Sequence, residues 1–417
     1  MKVCAFWPLT AAIILGLAAC SGSNSSNVLP SQNAASRRSY GSNLARVERF
    51  FSMVPLHRVC PGPPRAGFVQ CTAIVGNVTM DQVPGRSCAG VPGCYGPSDL
   101  QAAYGLTKAS ARSGNGKTVA IVDVGAYPTA AKDLTKYRSH FKLKPCTTAS
   151  GCFSIVNENG ATSPLPKKNE GWDQEMALDV DMVSAICPNC KIVLIEANSN
   201  GIGDIVAAEV AAEHLGNVVS NSFAAPEQLS TYPVFDDHPG VVVVAAAGDF
   251  GYAPAQPCSF AGVVCVGGTA LNIRNGKRIS EIAWSGSGSG CSALVPKPSW
   301  QKRVKSVSGC KMRNEADIAA DASPPTGVTI VLNSNLMPLI GGTSVATPIV
   351  GAAYALVKNT GTATPATLWA HGGTSAFHDI TSGTNGTCPS AYGYICNARR
   401  GYDGITGWGT LNGLRAL

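Results

Sequence analysis

The sequence predicts an α/β fold: a parallel sheet with helices on both faces. Three observations carry this. Short apolar segments recur at 118–123, 191–195, 218–222, 241–245 and 265–268. Helical stretches lie between them, notably 173–186 and 203–215. The strand candidates are continuously apolar, the pattern of strands buried on both faces and therefore of a parallel sheet between helix layers. In such sheets functional groups gather beyond the strand C-terminal ends. Asp123, Ser222 and Asp249 fall at or just past such ends. A further helix is expected after Gly96, with Pro97 and Ser98 at its start and Asp99 in its first turn.

Composition sets the frame. The 417 residues allow one large domain plus a smaller one, and 45% apolar content supports a sizeable core. The 46 glycines and 27 prolines then read as loops and tight turns, not disorder. A net charge of +7 is spread without a basic block, so no nucleic-acid partner is expected. With only 25 carboxylates there are few native ion pairs to lose on acidification, which suits work at low pH.

The N-terminus argues for export. Met1-Lys2 precedes an apolar run over 9–19, too short to span a bilayer comfortably. Leu17-Ala18-Ala19-Cys20 followed by Ser21-Gly22 resembles a bacterial lipobox, so residues 1–20 read as a lipoprotein-type signal peptide with Cys20 as the lipid anchor. An ordinary signal peptide is the alternative. The chain is expected in the cell envelope or outside the cell, with any membrane contact through Cys20 alone. Residues 21 to about 45 read as a flexible tether, and 46–93 as a short stretch of little helical periodicity. Sixteen cysteines agree with export. Outside Cys4 and Cys20 they fall into close neighbours: Cys60/Cys71, Cys88/Cys94, Cys146/Cys152, Cys187/Cys190, Cys258/Cys265, Cys291/Cys310 and Cys388/Cys396. Sequential disulfides are the expectation. Cys187-Pro188-Asn189-Cys190 has no second such pair or His pair to make a zinc site.

The chemistry starts at Gly341-Gly342-Thr343-Ser344. The stretch 349–357 is apolar and Ala-rich, so Ser344 sits at the start of a buried helix, where free N–H groups favour a developing oxyanion. A plain helix cap is the competing reading. A serine nucleophile needs a base. None of His57, His140, His214, His238, His371 and His378 opens a helix in a His-Gly-Thr-His-like setting, which turns attention to carboxylates. Glu175 and Asp179 are four apart on one helix face that continues through Met182 and Ile186. Like charges at that spacing repel by roughly 0.2–0.5 kcal/mol even in water. Burial raises that cost and pushes the pair toward sharing a proton. Asp249 follows an apolar strand in a Gly-flanked turn and is either a turn residue or an acid that donates to an oxyanion.

On these residues the chain resembles the sedolisin family, the serine-carboxyl peptidases, from about Tyr95 to the C-terminus. The matching elements are 119–123, 172–190, Ser220-Asn221-Ser222, Ala247-Gly248-Asp249, Val266-Gly267-Gly268-Thr269, the Gly/Ser run between Trp284 and Trp300, and 341–348. The likeness is to the bacterial, cysteine-containing branch with a short propeptide. It implies a subtilisin-like fold over 95–417 and a tether and prosegment over 21–94. It further implies an acid-active endopeptidase acting on polypeptides as a monomer. By the same resemblance Glu175 is the general base, Asp179 its partner, Ser344 the nucleophile, Asp249 the oxyanion acid and Asp123 a supporting acid. A calcium ion is implied too, on the carboxylates of Asp379 and Asp403 and the carbonyls of Ile380, Arg399 and Gly401. Arg399 stands where the family usually has glycine, Phe250 where it has serine, and Phe223-Ala224-Ala225 where it has a more polar segment. The rivals are a tripeptidyl exopeptidase, an inactive surface binding protein on the same fold, and a subtilisin-type enzyme using Asp123 with a histidine.

Overall fold

Strands of four to seven apolar residues cannot expose either face, and the chain solves this with one large sheet. The computed structural model describes residues 45–417, apart from 61, 63, 170, 229–231, 237, 305, 306, 308, 390 and 391. The signal peptide, Cys20 and the tether up to residue 44 lie outside the described residues. The sheet order is Phe377–His378, Thr410–Leu411, Ile318–Asp321, Val264–Arg274, Val242–Ala246, Val218–Asn221, Thr118–Val124, Lys191–Ala197 and Phe153–Asn157. From Thr410–Leu411 to Phe153–Asn157 every pairing is parallel. Lys277–Ala283 folds back antiparallel on Val264–Arg274, an extension that the expected strand at 265–268 did not include. All five residues of Val242–Ala246 are buried, so both faces of the sheet are covered.

Three helices bring the candidate residues to the sheet. Trp172–Ile186 has every residue buried except Gln174, and it ends at Cys187, just before Pro188. Ile202–Leu215 packs on Thr118–Val124 and Lys191–Ala197. Thr343–Ala355 is buried throughout and packs against both Trp172–Ile186 and the sheet centre. The helix at Pro97–Ala103 begins as expected, with the Asp99 carboxylate accepting from the Gly96 N–H at 3.1 Å.

All seven sequential disulfides are formed, with Cα pairs 4.7–5.8 Å apart. No helix among the described residues is long and apolar enough to cross a membrane.

The segment before Tyr95 is woven into the fold. Leu56–Arg58 and Ile74–Gly76 join Asn335–Gly341 and Val328–Leu332 in a four-stranded antiparallel sheet. Gln70–Cys71 pairs antiparallel with Phe223–Pro226. Strands of two or three residues are too short to show a period, which is why the sequence reads here as featureless.

Gly267 sits in the longest strand, and a Cβ there would stand 1.9 Å from the Ile405 carbonyl oxygen. The neighbour is backbone and cannot swing away. Gly267→Ala is expected to cost about 1–3 kcal/mol and to lower the thermal unfolding midpoint. An unchanged midpoint would contradict this packing.

Candidate active site

Ser344 is the second residue of its helix, in the turn whose N–H groups lack intrahelical partners. The turn is entered through Gly342 at φ 99°, a conformation that disfavours any other residue. The Ser344 hydroxyl lies 2.8 Å from the Thr72 hydroxyl and donates to the Ser222 carbonyl at 3.2 Å. No histidine is among its partners.

Glu175 and Asp179 project from one face of Trp172–Ile186 toward Ser344, and both are completely buried. Burial pushes Glu175 well above the ordinary glutamate range, and the charge of Asp179 adds to this. Neither Glu175 oxygen accepts a well-formed hydrogen bond. The Ser344 hydroxyl and the Ala73 N–H are nonetheless near enough to favour its charged form. Asp179 is raised by burial too, opposed by the Ser222 hydroxyl, which donates to Oδ1 at 2.8 Å. Asp123, at the end of Thr118–Val124, is raised by burial and then by the charges of Asp179, Glu175 and Glu196. The three acids therefore form one cluster, and no cation is among the groups that set their protonation.

Asp249 faces the serine from the sheet. Its Oδ1 accepts from the Thr343 N–H at 2.9 Å and from the Thr343 hydroxyl at 2.8 Å. Its Oδ2 has no hydrogen-bond partner. Burial raises Asp249 to about 7, against the pull of the Thr343 hydrogen bonds and Arg58. Arg58 places Nη1 4.0 Å from Oδ2, donates from Nη2 to the Asp249 carbonyl at 2.5 Å, and stacks over Phe250 at 4.2 Å. A Cβ on Gly342 would meet the Thr72 carbonyl oxygen at 1.9 Å and Asp249 Oδ2 at 2.9 Å, so that carbonyl and the free carboxyl oxygen flank the same glycine.

The chain belongs to the subtilase family. The model described as "Subtilase family" matches residues 114–395. Kumamolisin of Bacillus sp. (strain MN-32) is 29% identical over 369 residues, 80% of this chain and 64% of that protein. Sedolisin of Pseudomonas sp. (strain 101) is 25% identical over 78% of this chain and 61% of that protein. The chain spans less than two thirds of the length of these curated relatives. Among solved structures, Pseudomonas sedolisin, a serine-carboxyl proteinase complexed with two molecules of pseudo-iodotyrostatin, matches with TM-score 0.66 at 23% identity. That match covers 78% of this chain and 96% of the other and bears on the fold. Within the subtilases, these likenesses put the chain with the sedolisins.

The predicted residues Glu175, Asp179, Asp123, Asp249 and Ser344 thus converge on one buried site. Sequence reasoning missed Thr72 and Arg58, which reach the site only through the fold, and the hydrogen bonds that Thr343 and Ser222 make to Asp249 and Asp179. The two departures at phenylalanine also lie here: Phe250 under Arg58, and Phe223 opposite Cys71 in the strand pairing.

The calcium residues gather at the C-terminal end. The Asp379 carboxylate accepts from the Gly401 N–H at 2.9 Å, and Asp403 Oδ2 from the Arg399 N–H at 3.3 Å, so one loop holds both carboxylates. Asp403 is fully buried and raised by burial to about 7, with only hydrogen bonds opposing the rise. Two carboxylates held by one loop are oxygen donors of the kind a calcium ion takes. Arg399 turns its guanidinium to the Tyr402 carbonyl and the Tyr394 ring. Among the described residues no group of three or more His, Cys, Asp or Glu could hold a metal; carbonyl oxygens must complete this donor set.

The raised acids set a direction for stability. Asp249 and Glu196, each raised to about 7, hold protons in the folded chain that an unfolded chain releases near pH ~4. Their contribution is complete below that value and is lost as pH rises through about 7. The unfolding midpoint of Ser344→Ala, chosen to avoid self-digestion, is expected to fall between about pH 4 and pH 8. A midpoint that rises over that range would contradict the burial described.

Proposed function

We propose that this chain is an acid-active serine-carboxyl endopeptidase of the sedolisin type. The observation that carries the reading is the convergence of Ser344, the Glu175/Asp179/Asp123 cluster and Asp249 on one peptide, Thr72–Ala73. In this reading Ser344 Oγ attacks the substrate carbonyl while Glu175 takes its proton. Asp179 orients Glu175 and shares its charge, and Asp123 keeps that charge to one for the cluster. Protonated Asp249 donates through Oδ2 to the oxyanion, beside the Ser344 N–H. Glu175 then returns the proton to the leaving amine, and water hydrolyses the acyl-enzyme.

Tripeptidyl-peptidase 1 of Homo sapiens is 27% identical over 42% of this chain, so an exopeptidase is the second reading. The Val69 N–H bonds to the Asn200 carbonyl at 2.8 Å, and Phe68 bridges Gly201, so backbone pairing extends more than three residues before Thr72–Ala73, which favours the endopeptidase reading. The seven disulfides support an exported protein; lipidation at Cys20 is part of the proposal.

Ser344→Ala and Glu175→Gln are each expected to lower kcat on unblocked and N-blocked peptides at least ~10³-fold. Asp249→Ala should cost about 10²–10³. Asp249→Asn keeps a donor that does not titrate and should extend activity toward higher pH than the native acid, which loses its proton near 7. Full turnover by Ser344→Ala, or cleavage confined to peptides with a free N-terminus, would overturn the assignment.

Calcium is proposed at the C-terminal loops, held by the Asp379 and Asp403 carboxylates and the carbonyls of Ile380, Arg399 and Gly401. Bound there, it would tie the two loops together by oxygen coordination. A chelator is expected to lower the unfolding midpoint of the native chain and to leave that of Asp403→Asn unchanged. Equal midpoints with and without chelator in the native chain would remove calcium from the proposal.

A further inference from the structure

A fourth acid stands beside the cluster. Asp123 and Glu196 are register partners where Thr118–Val124 and Lys191–Ala197 run parallel, so their side chains leave the same face of the sheet. Trp172–Ile186, the helix of Glu175 and Asp179, packs on both strands. Both Asp123 oxygens are buried without a hydrogen-bond partner. Glu196 is only 1% exposed. Its Oε1 accepts from the Tyr127 N–H at 2.8 Å, and its Oε2 has no partner. Burial raises Glu196 to about 7, with only the Tyr127 N–H opposing the rise. Glu196 is therefore neutral in acid. Because Oε1 already serves as an acceptor, the proton belongs on Oε2. A carboxyl with a free O–H thus stands next to a carboxyl with two free acceptor oxygens.

We propose that Glu196 is a positioning residue for the base: its Oε2–H donates to Asp123 and so lets the cluster carry the single negative charge that Glu175 needs to accept the serine proton. This rests on the peptidase reading above. A hydrogen bond to the charged form of an acid favours that form. No cation is among the groups that set the protonation of Glu175, Asp179 and Asp123, so a neutral acid takes the place of one. Glu196 acts through Asp123, whose protonation feels the charges of Asp179, Glu175 and Glu196. The other titratable groups at this end of the sheet are bound elsewhere or lie on the covering loop. The Tyr127 hydroxyl donates to Asp133 at 2.8 Å. On the next strand the register partner of Glu196 is Asn157, which is uncharged and donates to the Pro164 carbonyl at 2.9 Å. Glu158 accepts from the Asn198 N–H at 2.8 Å. In the loop above, Lys168 pairs with Asp173 at 2.9 Å, and the Lys167 carbonyl accepts from the Ala126 N–H at 3.1 Å. None of these charges is among the groups that set the protonation of Glu196.

The test is the pH profile of kcat/KM on an N-blocked peptide between about pH 2 and about pH 7, using the full chain. The acid limb of that profile reports the protonation of the base in the free enzyme. Glu196→Leu removes the donor, makes the charged cluster harder to form, and should move the acid limb up by about one pH unit or more. Glu196→Gln keeps an acceptor for the Tyr127 N–H and an N–H donor for Asp123, and should restore the limb to its native position. A role in packing alone would not separate the two variants in this way. Added to Asp123→Asn, Glu196→Leu should move the limb no further, because the group it acts through is already changed. If Glu196→Leu does not fold, Glu196→Met, as long and unbranched as glutamate, replaces it. An acid limb left at its native position by the apolar variant would overturn the inference and leave the peptidase reading standing. So would an equal shift in Glu196→Gln, or a full further shift in the Asp123→Asn background. A native chain that cleaves no peptide at any pH would overturn the peptidase reading and this inference with it.

Discussion

Three carboxyl groups packed in an apolar interior, with no cation among them, can coexist only by holding protons. Glu175, Asp179 and Asp123 meet this condition because a helix buried except at Gln174 and the buried end of a strand carry them. Two full charges there would repel across a medium that screens poorly. The fold therefore commits the site to a proton-rich state, and the chemistry available to Ser344 follows. A base drawn from this cluster works as a member of a coupled set and not as an isolated carboxylate. Asp249 extends the same constraint to the far side of the serine, where a proton on Oδ2 turns an acceptor into a donor.

The segment before Tyr95 shares that constraint. Thr72, Ala73 and Arg58 engage the serine, the base and the oxyanion acid, one group each. They arrive on strands that also complete two small sheets, so the segment is held by backbone pairing along much of its length. Phe250 and Phe223, read in the sequence as departures from the family pattern, meet this segment directly. Phe250 offers its ring to Arg58, and Phe223 lies opposite Cys71. The two departures thus have a common physical setting in the way the chain covers its own site.

The disulfides are local and sit on turns and strand ends, joining residues 3 to 19 apart. Each closes a short loop and stiffens it against unfolding, while the sheet and its helices carry the long-range order.

Much of the architecture was legible because it is periodic or continuous. The strands around 118–123, 191–195 and 241–245 are uninterrupted apolar runs, and the helix at 172–186 announces itself by its apolar face. Glu175 and Asp179 were readable as a pair because helical spacing puts them on one face, and Ser344 because small residues precede a buried helix. The neighbour cysteines paired as their spacing suggests. What the sequence by itself determined was the α/β class, the three acids and the serine as candidates, and the disulfide scheme. Only the tertiary structure decided that these groups meet, that Asp123 joins the Glu175 pair, and that Thr72–Ala73 lies among them. The reason is physical. A spacing of four residues is a local fact of the helix, whereas Thr72 and Ser344, 272 residues apart, are brought to 2.8 Å only by sheet pairing that no short stretch of chain encodes.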